Sequence, residues 1–108
     1  MKAINIAKTA DSPSIILDKA NGLFEISGRS MPLNAQKFYQ PVLDWLDKYS
    51  KNPNPVTTFW FNLEYFNTGS SKLILDIFDR LEEMKDRTEV NIRGFRDEDD
   101  QEMELTEA

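Results

Sequence analysis

A run of small polar residues, Thr68-Gly69-Ser70-Ser71, separates a β-prone segment from a helical one and offers three hydroxyl groups. At such a strand-to-helix turn, unpaired backbone N–H groups and the positive end of the helix dipole face solvent. Asn67, Thr68 or Ser70 could therefore cap the helix. Alternatively, the turn could bind a phosphate, or one hydroxyl could itself be phosphorylated. The residue types alone do not choose between Thr68, Ser70 and Ser71.

The composition limits the chemistry available at this turn. The 108 residues include no Cys and no His, which excludes disulfides, thiolate nucleophiles and the usual Cys or His metal ligands. The chain lacks GxxxxGK[ST] and GxGxxG motifs, so a nucleotide-binding loop gains little support. The small residues keep this corner accessible, and Gly69 permits backbone dihedrals that a larger residue would resist. We predict no cofactor, no bound metal and no intrinsic catalysis.

Charge is distributed unevenly along the chain. The net charge is −6, and residues 95–108 contain seven acidic residues and one arginine, which leaves 12 acidic and 12 basic residues in the first 94. A neutral body with an acidic tail lacks the basic patch that nucleic acids and anionic membranes require. The opening residues contain no long apolar run typical of a signal peptide or transmembrane helix. We therefore expect a cytoplasmic protein whose partners are proteins.

Short elements of alternating type follow one another. Strands are predicted over 2–7, 14–18, 23–28, 56–65 and 88–95, with a hairpin turn at Asn21-Gly22. Helical periodicity predicts one helix from the N-cap Asn34 to near Ser50 and a second over 70–86. The acidic residues 97–108 are typical of the start of a final helix. This order predicts a single α/β domain over 1–108, with a small mixed β-sheet flanked by α-helices.

Two details of these elements depend on packing. Pro41 has no backbone N–H, so the first helix either is kinked there or becomes regular only close to Pro41. The run 56–65 is apolar on both alternations, which is typical of a central strand covered on both faces. Trp45, Trp60 and the phenylalanines are accordingly predicted to lie in the core.

Three ordered segments, which together extend over nearly the whole chain, carry a family resemblance. "LEYFNTGSSKLILDIFDRLEEM" matches a "YxNTxSS" turn followed by a Leu/Ile-rich helix. "GRSMPLNAQKFYQPVLDWLDKY" matches "GxSxPENAxxFYxPLxxWL", and "DEDDQEMELTEA" matches the acidic stretch "YDEDDEDMxEAG". In these segments the chain resembles the SiaC family of bacterial regulatory phosphoproteins.

The resemblance implies a fold like that of the anti-sigma-factor antagonists (STAS domains), together with their regulatory logic. In such proteins a serine/threonine kinase phosphorylates a hydroxyl at the strand-to-helix turn, and a PP2C-type phosphatase removes the phosphate. The unphosphorylated form binds a partner, which for SiaC-like proteins is a diguanylate cyclase whose cyclic-di-GMP synthesis it promotes. The matching phosphoacceptor is Thr68. The loop expected to contact kinase and partner comprises Glu64, Asn67, Gly69, Ser70 and Ser71.

The chain also departs from the family pattern. Leu33 stands where Glu is usual, Gly69 where Ser is common, and Phe95-Arg96 where an aromatic pair is typical. The chain ends at Ala108, short of the family's usual C-terminal extension. None of these differences touches Thr68, but the first two alter the surface on which a partner would bind.

Two other functions stay open. Glu64 could combine with Asp97, Asp99 and Asp100 in a small carboxylate-based, metal-dependent enzyme, which predicts activity or a thermal shift with Mg²⁺, Mn²⁺ or Ca²⁺. Glu64 alone could instead orient the hydroxyl proton of Thr68 or a docking partner. A structural adaptor that never carries phosphate is the other possibility. The intact mass of protein from its native cell, with and without phosphatase treatment, separates an adaptor from a phosphoprotein.

Overall fold

The computed structural model describes residues 1–94. Its elements are, in order, β1 (Ile4–Ile6), β2 (Ser14–Asp18), β3 (Leu23–Ser30), α1 (Ala35–Tyr49), β4 (Val56–Phe66), α2 (Thr68–Glu83) and β5 (Glu89–Gly94). The predicted α/β fold with a mixed sheet is confirmed, while the predicted final helix over 97–108 lies outside the described residues. Within residues 1–94, neither helix is long and apolar enough to cross a membrane.

The five strands form one sheet in the spatial order β1-β2-β3-β4-β5. The pairs β1–β2 and β2–β3 are antiparallel, whereas β3–β4 and β4–β5 are parallel. The predicted hairpin joins β2 to β3, and Gly22 in its turn has a φ of 65°. The parallel pairs are connected through α1 and α2. Because such crossovers are right-handed and the three strands are adjacent in chain order, both helices lie on one face of the sheet.

The hydrophobic core lies between that face and the two helices. Alternate residues of the central strands point into it, and Phe24, Ile26, Phe59 and Phe61 have no exposed surface. Burying a large apolar side chain of this kind stabilises the fold by about 1.5–3 kcal/mol. The helices contribute Tyr39, Val42, Leu43, Trp45, Leu46 and Tyr49 from α1, and Leu73, Ile74, Ile77 and Leu81 from α2.

The two faces of β4 differ, contrary to the prediction that both are covered. On the core side its residues are buried, but Val56 and Trp60 on the other side are 48% and 38% exposed. The prediction of Trp60 in the core is therefore wrong, because both helices pack on the opposite face. Phe66, at the end of β4, is 39% exposed and does not belong to the core either. Trp45 is only 6% exposed and does belong to the core.

Helix α1 begins before its proline. Asn34 caps it, as predicted, and Ser50 ends it, with Pro41 inside the helix. The alternative in which the regular helix starts close to Pro41 is therefore wrong. Pro41 lacks the N–H that would bond to the Lys37 carbonyl, but both residues are exposed, so water can reach that carbonyl.

Candidate functional site

The carboxyl ends of β3 and β4 lie side by side, and each leads into a helix. Residues 31–34 connect β3 to α1, whereas Asn67 alone separates β4 from α2. Because the two strands are parallel, both helices begin at the same end of the sheet. We define residues 29–35 and 64–72 as the junction, which contains the whole loop predicted to contact a kinase and a partner.

A β-bulge shapes the β3–β4 ladder just before the junction. Gly28 pairs with Leu63 but Arg29 pairs with Tyr65, so Glu64 has no register partner on β3. Gly28 has a φ of 109°, a conformation that residues with a side chain rarely adopt. The Arg29 guanidinium lies over the Tyr65 ring, 5.7 Å from its centroid. The bulge therefore resets the register at the point where the strands enter the junction.

Both helices of the junction begin with an asparagine cap. Asn34 Oδ1 accepts a hydrogen bond from the Lys37 N–H (3.1 Å), and Asn67 Oδ1 accepts one from the Ser70 N–H (2.9 Å). The Asn67 N–H donates in turn to the Ser30 carbonyl (3.1 Å). Of the three candidates that the sequence left open, Asn67 is thus the cap, and it is also bonded to the end of β3.

Helix α2 begins at Thr68, two residues earlier than predicted, so the four small residues form its first turn. Gly69 does not use the backbone freedom that a glycine has, because its φ is not positive. A Cβ atom built on Gly69 would lie 3.9 Å from the Ala35 Cβ, an ordinary contact distance. Gly69 instead marks the place where the starts of the two helices meet.

A chain of buried hydroxyl groups joins α1, β3 and α2 beneath the junction. Tyr39 Oη and Ser30 Oγ are 2.6 Å apart, Ser30 Oγ donates to Ser70 Oγ (2.9 Å), and Ser70 Oγ donates to the Ser30 carbonyl (3.0 Å). Because the single Ser30 hydroxyl proton goes to Ser70, Tyr39 must be the donor to Ser30. Burial raises the pKa of Tyr39, although its hydrogen bond to Ser30 opposes this shift. The phenol therefore keeps the proton that this chain requires.

The three hydroxyls that the sequence could not rank have different environments. Ser70 has no exposed surface, and its proton is used in the bond to Ser30. Ser71 is half-buried, and its Oγ donates to the Thr68 carbonyl (2.7 Å). Thr68 is exposed, and within residues 1–94 its hydroxyl makes no hydrogen bond. Thr68 is thus the hydroxyl that a second protein could reach without breaking an existing contact.

The electrostatic environment of Thr68 favours negative charge. It occupies the first helical position of α2, where the helix dipole is positive. Neither α1 nor α2 has an acidic residue in its first turn. Lys72 is exposed and lies one helical turn beyond Thr68, within reach of the same helix face. An anion on Thr68 would therefore be stabilised by the partial positive charge of the helix start and by the full positive charge of Lys72.

The carboxylate arrangement considered as an alternative is not assembled by the described residues. Glu64 is exposed on the bulge, and its carboxylate forms neither a hydrogen bond nor an ion pair in residues 1–94, so nothing connects it to Thr68. Asp97, Asp99 and Asp100 lie outside the described residues. In the part of the chain that the structure describes, no cluster of three or more carboxylates is placed to hold a metal ion.

Ser30 and Tyr39 belong to the site although the sequence alone does not indicate them directly. One available indication was that Asn34 and Asn67 each follow a strand and cap a helix, which is typical of two consecutive parallel βα units. Such a pair brings the end of β3 next to the start of α2 and hence Ser30 next to Ser70. The contact between Tyr39 and Ser30 depends on tertiary packing, and no pattern in the neighbouring sequence indicates it.

Comparison with known proteins identifies the family. A family model described as SiaC family regulatory phosphoprotein matches residues 6–108. The chain belongs to the SiaC family. The resemblance noted in the sequence is therefore confirmed over nearly the whole chain, and the chain belongs to a family of regulatory proteins.

A curated relative and solved structures agree with this assignment. An uncharacterised protein of Pseudomonas aeruginosa strain UCBPP-PA14 is 31% identical over 83 residues, which are 77% of this chain and 66%, just under two thirds, of that relative. The structure of SiaC of Pseudomonas aeruginosa is 29% identical with a TM-score of 0.88, covering 98% of this chain and 89% of that one.

A further solved structure contains a partner. It is the diguanylate cyclase SiaD in complex with its activator SiaC from Pseudomonas aeruginosa. That match has 28% identity and a TM-score of 0.82, and it covers 94% of this chain and 85% of the other. The similarity extends to a protein that acts by binding another protein.

Proposed function

We propose that this SiaC-family chain is a non-catalytic regulator whose binding to a diguanylate cyclase is controlled by phosphorylation of Thr68. A serine/threonine kinase adds the phosphate and a PP2C-type phosphatase removes it. The unphosphorylated form binds and activates the cyclase. The family assignment and the similarity to a SiaC that is the activator of SiaD support the regulatory and partner-binding parts of this proposal.

Thr68 is chosen as the phosphate acceptor because the three neighbouring hydroxyls differ in their burial and hydrogen bonds. Phosphorylation of Ser70 would require a fully buried hydroxyl to leave Ser30. Phosphorylation of Ser71 would break its bond to the Thr68 carbonyl. The Thr68 hydroxyl is exposed at the start of a helix and forms no hydrogen bond within residues 1–94. A kinase can therefore reach Thr68 with the fold intact.

The chemistry of the switch follows from this position. The kinase transfers the terminal phosphoryl group of ATP to Thr68 Oγ1, the hydroxyl proton is released and ADP leaves. The phosphothreonine carries about −1.5 to −2 charges at neutral pH. The positive start of α2 and nearby Lys72 favour that charge, so the domain itself tolerates the modification. The partner, which packs against the same surface, has to desolvate the dianion and binds less well.

Site mapping after phosphorylation in vitro tests the proposal. The purified chain is incubated with ATP and the serine/threonine kinase of its source organism, and phosphopeptides are mapped by mass spectrometry. We expect a single phosphate on Thr68 and none on a Thr68→Ala variant. Ser71→Ala is the matched control, because it removes the neighbouring accessible hydroxyl and should still be phosphorylated. Phosphate on the Thr68→Ala protein, or on Ser71 in the parent, would show that the acceptor is misassigned.

A second measurement separates the switch from a passive adaptor. Protein isolated from its native cell should lose the mass of one phosphate when it is treated with a PP2C-type phosphatase. An unchanged intact mass under several growth conditions would favour an adaptor that never carries phosphate.

A further inference from the structure

The junction displays apolar side chains that the core does not use. Leu33 has a relative exposure of 105%, and Tyr65 and Phe66 are 48% and 39% exposed. Leu33 lies in the connection from β3 to α1, while Tyr65 and Phe66 end β4 directly before the Asn67 cap. Phe66 pairs with the buried Ser30 and so lies on the helix face of the sheet, whereas Tyr65 pairs with Arg29 and lies on the opposite face. Scattered single apolar residues are normal on a surface, but a fully exposed Leu33 and a partly exposed Phe66 at the end of the sheet where Thr68 lies indicate an interaction surface.

The backbone that carries Leu33 is restrained on both sides. Before it, the Met31 N–H donates to the Asp11 carbonyl (2.7 Å), and Pro32 limits the backbone to one φ region. After it, Asn34 caps α1 through the Lys37 N–H. The Leu33 side chain is therefore held away from the domain by an ordered loop. A preorganised apolar group loses little conformational entropy when it enters a partner.

The loop that carries Leu33 is also bound to the start of α2. The Ser30 carbonyl, at the beginning of the loop, accepts hydrogen bonds from the Asn67 N–H and the Ser70 hydroxyl. At the other end of the loop, Ala35 faces Gly69 at ordinary contact distance. The loop that carries Leu33 and the helix start that carries Thr68 are thus joined by direct contacts, so a protein that covers one is placed to touch the other.

We infer that Leu33 is the apolar anchor of this surface and that it inserts into an apolar recess of the diguanylate cyclase, at the edge of which Thr68 lies. The inference rests on the proposed function and adds the chemistry of the contact. Phe66, on the helix face of the sheet, extends the apolar area, and the first turns of both helices contribute no carboxylate to it. A phosphate on Thr68 then has to be desolvated at the rim of an apolar contact, which explains why one modification suffices to weaken binding.

Two serine substitutions at opposite ends of the sheet test the anchor. Leu33→Ser removes the proposed anchor, and Leu23→Ser is the matched control, because Leu23 is 42% exposed at the far end of β3. Affinity is measured with unphosphorylated protein against the diguanylate cyclase of the source organism, because Leu33 stands where SiaC-family chains usually have Glu and a cyclase from another organism need not offer an apolar recess. We expect Leu33→Ser to weaken binding at least about tenfold and Leu23→Ser to change it less than about threefold. Leu33→Ile should restore most of the affinity.

The outcomes also separate this inference from the proposed function. Leu33 is fully exposed, so thermal unfolding of the Leu33→Ser protein should match the parent. If phosphorylation of Thr68 weakens binding while Leu33→Ser binds like the parent, the anchor is wrong and the phosphorylation switch stands. Equal weakening by Leu23→Ser would also overturn the anchor. If the cyclase of the source organism does not bind the unphosphorylated parent, both the proposed function and the anchor fail.

Discussion

At each end of the sheet, a tyrosine of α1 belongs to a buried chain of hydroxyl groups. At the junction, Tyr39 is linked through Ser30 to Ser70. At the far end, the Tyr49 hydroxyl lies 2.7 Å from Thr57 Oγ1, which lies 2.9 Å from Thr88 Oγ1. Both chains tie a helix to the sheet through polar groups that are removed from solvent.

The two ends of the sheet differ in the residues that surround the buried hydroxyl chain. The far end adds the Asn54 N–H, which donates to the Tyr49 hydroxyl (3.1 Å), so that chain is closed by the backbone. The junction adds an exposed threonine and exposed apolar side chains next to a buried, bonded serine. Both ends of the sheet are therefore held to α1 by buried hydroxyl chains, but only the junction combines such a chain with the exposed hydroxyl that we propose is phosphorylated.

Removing the middle of the far chain should have the largest effect on stability. Thr57→Val leaves the buried hydroxyls of Tyr49 and Thr88 without their shared partner. We expect the free energy of unfolding to fall by about 2–4 kcal/mol in urea denaturation, since each orphaned group costs about 1–3 kcal/mol. Phosphorylation of the folded variant should proceed at the parental rate. A loss of phosphorylation in protein that is still folded would show that the two ends are not independent.

The corresponding change at the junction should cost less and reveal more about the site. In Ser70→Ala the Ser30 hydroxyl loses its acceptor, but the Ser30 carbonyl keeps its bond from the Asn67 N–H. The expected loss is about 1–3 kcal/mol, and the variant should still accept one phosphate on Thr68. Ser71→Ala is the control and should change stability by less than about 0.5 kcal/mol. Failure of the folded Ser70→Ala protein to accept phosphate would identify Ser70 as the acceptor.

The Tyr39 phenol predicts a pH dependence of stability. Burial raises the pKa of Tyr39 above its ordinary value of 10.0. Above that pH the unfolded chain has released this proton while the folded protein still holds it, so the contribution of Tyr39 to stability falls as pH rises. Tyr39→Phe should cost about 1 kcal/mol at neutral pH. Between about pH 8 and about pH 11, the urea midpoint of unfolding should fall less for Tyr39→Phe than for the parent. If the midpoint of the Tyr39→Phe protein falls as much as that of the parent, or more, the raised pKa of Tyr39 is contradicted.

The smallest effect concerns the charge at the helix start. Thr68→Glu places a carboxylate at the first position of α2 and should stabilise the fold by about 0.3–1 kcal/mol, whereas uncharged Thr68→Gln should not. The same Glu should weaken partner binding. Differential scanning calorimetry of the two variants checks the first part. A Glu variant no more stable than the Gln variant would show that the junction does not favour an anion.

Local patterns in the sequence were sufficient to predict most of the fold. Alternating residues and the Asn-Gly turn predicted the hairpin strands, and helical periodicity with an Asn34 cap predicted α1. The exposure of Trp60 was not predicted, because the residue pattern of β4 does not show on which side the helices lie. Adjacent right-handed crossovers decide that question, and they depend on strand order.

The site was predictable only in part for a related reason. The "FNTGSS" turn located the hydroxyls, but ranking them required the bond between Ser70 and Ser30, which lie 40 residues apart in the chain. Helix α2 starts at Thr68, earlier than predicted, because Asn67 caps it by accepting a hydrogen bond from the Ser70 N–H. Sequence neighbours alone cannot show that one serine is buried and the adjacent threonine exposed.

The most direct test of the account compares one protein in two chemical states. The chain is phosphorylated on Thr68, its stoichiometry is verified by intact mass, and both forms are titrated into the diguanylate cyclase of the source organism by calorimetry. We predict that the phosphorylated form binds at least about tenfold more weakly, equivalent to about 1.4 kcal/mol, and that phosphatase treatment restores the affinity. Equal affinity of the two forms would contradict the central claim that Thr68 controls partner binding.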